Sequence, residues 1–126
     1  MRLDHINVRT DDLESVKQVF TDILGLTEGA RPPFPKPGHW LYGGGRPIVH
    51  LSSADGEETG QSTGALDHIA FHDDDFDGLI QRLDGAGIGY EFSTVPDSGV
   101  RQVFFHIACG IRIEVDFPPQ AAADEA

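Results

Sequence analysis

The sequence predicts an α+β fold built from two βαβββ modules, with the helices on the outer face of a mixed sheet. Two observations carry this prediction. The run Leu3-Asp4-His5-Ile6 recurs half a chain later as Leu66-Asp67-His68-Ile69, and an acidic cluster and a helix-like stretch follow each copy. Strand-like runs at 47–51 and 112–115 then close the two halves at equivalent places. Because each half is too small to bury much core alone, we expect the two modules to pair.

The spacing of apolar residues, together with the capping, proline and glycine positions, defines the predicted elements of the first module. Alternating residues predict a strand over 3–9, and Asp12 is suited to cap a helix that runs to about Leu24. The segment 31–37 contains four prolines, so it is expected to form neither helix nor central strand. Two further strands, over 39–42 and 47–52, then flank a glycine-rich hairpin turn, which needs residues that tolerate positive φ.

The second module replays this order. The pattern predicts a strand over 66–72, a helix over 76–85, and then three strands, over 90–94, 101–107 and 111–117.

These elements set the expected domain organisation. We predict a single domain over 1–117, with modules at 1–52 and 66–117. A polar linker over 53–65 joins them, and a flexible tail covers 118–126.

Composition excludes several classes of function. Lys+Arg number 9 against 21 Asp+Glu, so the net charge is −12, which repels nucleic-acid phosphates and anionic membrane surfaces. No apolar run is long enough to span a membrane, and the first residues lack the apolar core of a signal peptide. We therefore expect a cytoplasmic protein that acts on a small molecule. The single Cys109 excludes an internal disulfide, so a metal site would use His and carboxylate ligands.

Strand alternation predicts where such ligands lie. Four strands each place one coordinating side chain on the sheet face that the helices do not cover: His5, His50, His68 and Glu114. Imidazole and carboxylate groups suit one divalent transition metal, which could be Zn, Ni, Co, Mn or Fe. The alternative is that these side chains are simply hydrated on the wet face of an antiparallel sheet.

These motifs resemble the vicinal oxygen chelate superfamily, which includes glyoxalases, bleomycin resistance proteins and extradiol dioxygenases. The resemblance rests on segments spread over nearly the whole chain: 3–8 followed by Asp12-Leu13, 20–26, 66–71 and 110–115. It implies paired modules that curl into a cup-like, glyoxalase-like sheet around a metal. It also implies that His5, His50, His68 and Glu114 hold that metal, with Glu114 the candidate for proton transfer.

The resemblance leaves three functions open. Four protein ligands are typical of the glyoxalase and isomerase members, so the first expectation is a metal-dependent lyase or isomerase acting on a small oxygenated metabolite. An extradiol dioxygenase is the alternative if His50 is not a ligand, because those members use two His and one Glu. A metal-free, bleomycin-resistance-like binder of cationic drugs is the third, and the acidic composition favours it. The resemblance further implies a homodimer.

Six more side chains are candidates for the substrate pocket. Three flank the proline-rich segment and three lie on the later strands: His39, Trp40, Tyr42, His72, His106 and Arg112. The alternative for Trp40 is an ordinary core position, and for His72 and His106 a solvent-facing strand position.

Overall fold

The computed structural model describes three stretches of the chain: residues 1–55, 60 and 62–120. The middle of the predicted linker and the end of the predicted tail lie outside these residues. The chain forms two compact units, Met1–Gln61 and Ser62–Ala126, which we call the first and second module. Within the described residues, no helix is long and apolar enough to cross a membrane.

The first module is a four-stranded mixed sheet with one helical segment. Its elements in chain order are β1 (Ile6–Thr10), α1 (Leu13–Gln18), β2 (Thr27–Gly29), β3 (Gly38–Gly43) and β4 (Arg46–Ser53). The strand order is β1-β4-β3-β2. The β1–β4 pair is parallel, whereas β3 pairs in antiparallel fashion with both β4 and β2.

The second module repeats this topology. Its elements are β5 (His68–His72), α2 (Phe76–Gly85), β6 (Glu91–Thr94), β7 (Arg101–His106) and β8 (Arg112–Phe117). The strand order is β5-β8-β7-β6, with β5 parallel to β8 and the other pairs antiparallel. The α+β class and the two βαβββ modules predicted from the sequence are therefore confirmed.

Both helices begin at the aspartates that the repeat aligns. The Asp12 carboxylate accepts a hydrogen bond from the Ser15 backbone N–H at 3.1 Å, and Asp75 accepts one from the Gly78 N–H at 3.0 Å. Each carboxylate thus satisfies a backbone donor that the first helical turn leaves free.

Two features of the first module differ from the prediction. The helix continues from α1 into a π-helical turn, Val19–Ile23, because the Leu24 N–H bonds to the carbonyl of Val19, five residues back. The βαβββ pattern implies a strand at this place, but the residues do not reveal its bounds, since all three residues of β2 are exposed and show no apolar alternation. Pairing with β3 alone defines it. The proline-rich segment 31–37 forms neither helix nor strand, as expected.

One face of each sheet packs with the helical segment of its own module. Buried side chains alternate along β8, where Ile113, Val115 and Phe117 are all core residues, and α2 adds Leu79 and Leu83. The first module has the same design, with this buried set: Val8, Val16, Phe20, Leu41, Val49 and Leu51. The opposite sheet faces carry the polar residues that form the candidate site.

Two leucines of the second module test this core. Leu83 is fully buried in α2, whereas Leu66 is 59% exposed. We expect Leu83→Ala to lower the free energy of unfolding by about 2–5 kcal/mol, because it leaves a cavity. We expect Leu66→Ala to change it by about 0.5 kcal/mol or less. Urea denaturation followed by circular dichroism measures both, and equal losses would contradict this core assignment.

Candidate functional site

A ring stack lies on the polar sheet face of the first module. Strand register pairs His50 with Asn7 on one side and with Trp40 on the other. The His50 ring lies between two others: its centroid is 3.8 Å from that of His5 and 4.0 Å from that of Trp40, and both pairs are nearly parallel. His50 is therefore buried in a sandwich of planar groups.

The hydrogen bonding of His50 leaves only one ring nitrogen free. Its Nε2 lies 3.1 Å from the carbonyl oxygen of Pro47, which requires a proton on Nε2. Burial lowers the pKa of His50, and the neighbouring His5 lowers it further. In the neutral ring that results, Nδ1 carries the lone pair, so His50 could bind a metal through Nδ1 alone.

His5, just before β1, has the opposite arrangement. Its Nδ1 lies 2.7 Å from the Asp4 carboxylate, and Arg46 donates to the other oxygen of that carboxylate at 3.0 Å. The hydrogen bond from His5, with smaller contributions from the charges of His5 and Arg46, holds the pKa of Asp4 below its usual value. Asp4 therefore accepts the Nδ1 proton of His5, which leaves Nε2 as the free lone pair.

The second module contains the same relay. The Nδ1 of His68 lies 2.7 Å from the Asp67 carboxylate, and Arg112 Nη1 lies 3.6 Å from that carboxylate. The hydrogen bond from His68 is the largest cause of the lowered pKa of Asp67. Arg112 begins β8 as Arg46 begins β4. In each module an arginine contacts an aspartate, and that aspartate accepts the Nδ1 proton of a histidine, whose Nε2 keeps its lone pair. We call this arrangement the Arg–Asp–His relay.

His68 and Glu114 come together on the polar face of the second module. The Nε2 of His68 lies 3.2 Å from Glu114 Oε1. Because Asp67 takes the Nδ1 proton, this contact brings a lone pair up against a carboxyl oxygen, and such a contact needs a proton or a metal ion between the two atoms. Nitrogen and oxygen ligands of tetrahedral zinc lie about 3.4 Å apart, so the spacing fits a metal.

Glu114 is held from both sides. It is 7% exposed, and Gln102 donates to its Oε2 at 3.3 Å. Burial raises the pKa of Glu114, and the neighbouring Asp116 raises it further. Glu114 therefore takes up a proton more readily than an ordinary glutamate.

The donor chemistry of the described residues fits a divalent metal. Each module supplies two donors, the imidazoles of His5 and His50 in the first and His68 with Glu114 in the second. Among the residues that the structure describes, no three His, Cys, Asp or Glu side chains form a metal-binding group.

The ring stack borders a groove of about 630 Å³ in the first module. Its walls are the stack, the proline-rich segment and neighbouring strand residues: His5, Asn7, Arg31, Phe34, Pro35, Lys36, Trp40, His50, Leu51 and Ser52. Trp40 thus lines this groove.

His39 and Tyr42 do not line this groove. His39 alternates with Trp40 along β3, and its Nδ1 contacts the Glu28 carboxylate. The hydroxyl of Tyr42 donates to the carbonyl of Ala30 at 2.6 Å, so this side chain packs along the edge strand β2.

The remaining pocket candidates lie in the second module. His72 is exposed, and its Nε2 is 3.6 Å from Asp74. His106 and Arg112 line a smaller hollow of about 260 Å³, together with Tyr90 and Phe104. Arg112 lies over the Phe104 ring at 4.2 Å, so both this ring and Asp67 hold its guanidinium.

The sequence argument did not assign roles to Asp4, Asp67, Arg46 and Gln102. A signal for the aspartates was present, because the repeated motif contains Asp before His in both copies. Gln102 carries no such signal, since only the pairing of β7 with β8 brings it to Glu114.

Two βαβββ modules, each with imidazole groups on the sheet face away from its helix, define the glyoxalase-like class of α+β proteins. The chain belongs to the Glyoxalase/Bleomycin resistance protein/Dioxygenase superfamily, whose sequence profile matches residues 2–115. Among curated proteins, none matches the sequence closely enough to count as a relative.

Solved structures share this fold at low sequence identity. A glyoxylase/bleomycin resistance protein/dioxygenase domain from Frankia sp. EAN1pec is 22% identical, with a TM-score of 0.77 over 94% of this chain and 98% of that one. Lactoylglutathione lyase from Agrobacterium tumefaciens is 17% identical, with a TM-score of 0.67 over 92% of both chains. A mutant of the fosfomycin resistance protein FosX from Listeria monocytogenes, complexed with Mn(II) and 1S,2S-dihydroxypropylphosphonic acid, is 16% identical, with a TM-score of 0.74 over 94% and 93%.

The ring stack generates a stability prediction. We expect His50→Ala to lower the free energy of unfolding by about 1–3 kcal/mol, because it removes the ring between His5 and Trp40. Trp40 is the only tryptophan, so its fluorescence spectrum should change as well. His72→Ala is the matched control, since this exposed ring should cost about 0.5 kcal/mol or less. Urea titration compares the two variants, and equal stability with an unchanged spectrum would contradict the stack.

Proposed function

We propose that this protein is a divalent-metal-dependent enzyme of the lyase or isomerase type, acting on a small oxygenated metabolite. The ligand set would be His5 and His68 through Nε2, Glu114 through Oε1, and His50 through Nδ1. The modules that supply these ligands belong either to one chain or to two copies of a homodimer, and both arrangements use the same four side chains. A cytoplasmic location remains part of this proposal.

The observation that carries the proposal is the contact between His68 Nε2 and Glu114 Oε1 at 3.2 Å. The tautomer set by Asp67 turns a lone pair toward a carboxylate oxygen there, and the relay at Asp4 prepares His5 in the same way. Membership of a superfamily that includes dioxygenases and glyoxalases, and the Mn(II) in the FosX complex, also favour a metal.

When bound, the metal would act as a Lewis acid and template for substrate oxygens. The protein would move the proton. Glu114 is the catalytic candidate, because burial and Asp116 raise its pKa, so it takes up a proton more readily than an ordinary glutamate. Its Oε2, which accepts from the Gln102 amide, is the atom at which we place the transferred proton.

An extradiol dioxygenase is the second candidate, and the geometry of His50 favours it. The Nε2 of His50 bonds to a backbone carbonyl and its ring is stacked on both faces. Leaving it out of the ligand set gives two His and one Glu, the facial set of non-haem iron oxygenases.

The groove does not favour the third candidate, a metal-free binder of cationic drugs. Despite the net charge of −12, its lining includes Arg31 and Lys36, and none of the described residues that line it is Asp or Glu. A cationic ligand would meet like charge there.

Metal content tests the proposal. We expect untagged protein, reconstituted in turn with Zn, Ni, Co, Mn and Fe(II), to hold about one ion per chain by inductively coupled plasma mass spectrometry. His5→Ala and Glu114→Ala should lose it, whereas His72→Ala should retain it, with the fold of each variant checked by circular dichroism.

The outcomes separate the candidates. Retention of metal by His50→Ala favours the three-ligand dioxygenase set, and its loss favours the four-ligand lyase or isomerase set. Wild-type protein that binds none of these ions would contradict both enzyme proposals.

The Arg–Asp–His relays generate a further prediction. Asp67→Asn removes the carboxylate that orients His68, so we expect metal affinity to fall by about 10–100-fold. Asp74→Asn makes the same charge change beside exposed His72 and should leave the affinity unchanged. Competition with a chromophoric chelator measures both constants. Equal affinities would show that the relay does not prepare the ligand.

A further inference from the structure

The groove of the first module has a charge opposite to that of the chain. Acidic side chains outnumber basic ones by 21 to 9, yet two of those nine cations, Arg31 and Lys36, line this groove. No Asp or Glu is among the described residues that form its walls. In so acidic a chain, this concentration of positive charge selects for anions.

Several contacts hold Arg31 in place. Its Nη2 donates to the carbonyl of Lys36 at 2.7 Å, and its guanidinium carbon lies 5.3 Å from the centre of the Phe34 ring. Gly38 leaves room for the group, because a Cβ at that position would lie 2.9 Å from Arg31 Nη2. The proline-rich segment therefore presents a positioned cation rather than a flexible one.

The guanidinium still has unused donors. The buried Nε of Arg31 has no hydrogen-bond partner, and no carboxylate of the described residues lies within ion-pair distance. Lys36 pairs with Asp55 at 3.0 Å, but both side chains are largely exposed, and such pairs contribute little stability. An incoming oxyanion can therefore bind Arg31 and displace Asp55 from Lys36 at small cost.

The other walls are flat and apolar. The centroids of the Phe34 and Trp40 rings lie 6.4 Å apart with the ring planes inclined by 47°, and Trp40 continues the stack through His50 to His5. Planar groups bind such surfaces by stacking and by burial of apolar area.

We infer that this groove binds an organic oxyanion with a flat apolar body, whose charged end lies at Arg31 and Lys36 and whose body lies against Phe34 and Trp40. The inference deepens the proposed function, on which its catalytic meaning rests, because His5 and His50 border the same groove. It names the substrate class as aromatic or similarly planar acids. Arg31 is the residue that determines this specificity.

Titration of metal-free protein with benzoate tests the inference, with fluorescence of the single Trp40 as the signal. We expect benzoate to bind at least about tenfold more tightly than its neutral isostere benzamide, the ratio expected for a charge-assisted hydrogen bond. Acetate, which lacks the ring, should bind more weakly than benzoate, and so should benzyltrimethylammonium, which has the opposite charge.

Substitutions that remove one positive charge, inside or outside the groove, identify the residue that binds the carboxylate. Arg31→Gln should abolish the preference for benzoate over benzamide, and Arg31→Lys should keep part of it, since lysine retains the charge without the planar fork. Lys17→Gln removes the same charge from α1, outside the groove, and should keep the full preference. If Arg31→Gln does not fold by circular dichroism, Lys36→Gln takes its place, with a smaller loss of the preference expected.

The inference would be overturned if benzoate did not bind, or if benzamide or acetate bound as tightly as benzoate. It would also be overturned if benzyltrimethylammonium bound most tightly, or if the groove substitutions left the preference for benzoate over benzamide unchanged. Because the protein is metal-free, this result is independent of the metal assay. Benzoate binding without metal binding would overturn the enzyme proposal and leave the groove assignment standing. Metal binding without benzoate binding would overturn the groove assignment and leave the enzyme proposal standing.

Discussion

An aspartate ahead of each repeated histidine fixes which nitrogen of that ring carries the proton. Asp4 and Asp67 each accept from Nδ1 at 2.7 Å, and an arginine at the start of the last strand of the same module contacts each carboxylate. Both Nε2 lone pairs follow from this one interaction, and so does the contact of His68 with Glu114 that requires a proton or a metal ion between the two atoms. The relay depends in turn on the parallel pairing of the first and last strands of each module, which brings the arginine to the aspartate.

The two modules use the repeated frame differently. The second module pairs its histidine with a buried glutamate whose pKa is raised, which gives a proposed metal ligand and a group able to hold a proton. The first module places a histidine at the corresponding strand position and encloses it between two rings. It also adds the proline-rich segment, which brings Arg31 to the groove. The proposed chemistry thus lies mainly with the second module, and selection of the substrate with the first.

The sequence predicted the fold well because the repeat, the capping aspartates and strand alternation are local signals. The bounds of the edge strand β2 could not be predicted, since its three exposed residues carry no apolar period and only pairing defines them. The polar face of each strand was also predictable. The contacts within that face were not predictable, because they depend on strand register and side-chain rotamer. The Nε2 of His50 bonds to the Pro47 carbonyl, and His39, which alternates with Trp40 along its strand, contacts Glu28. The positive charge of the groove could not be predicted from composition, because the net charge of a chain does not determine the charge of one pocket.

The measurement that most directly tests the central claim is the number of imidazole ligands bound to the metal, counted by X-ray absorption spectroscopy of the metal-loaded protein. The account predicts at least two imidazoles, those of His5 and His68, with a carboxylate oxygen also bound. It predicts that His5→Ala removes one imidazole from the spectrum of whatever metal the variant retains. A ligand shell of oxygen alone, or an imidazole count that His5→Ala leaves unchanged, would contradict it.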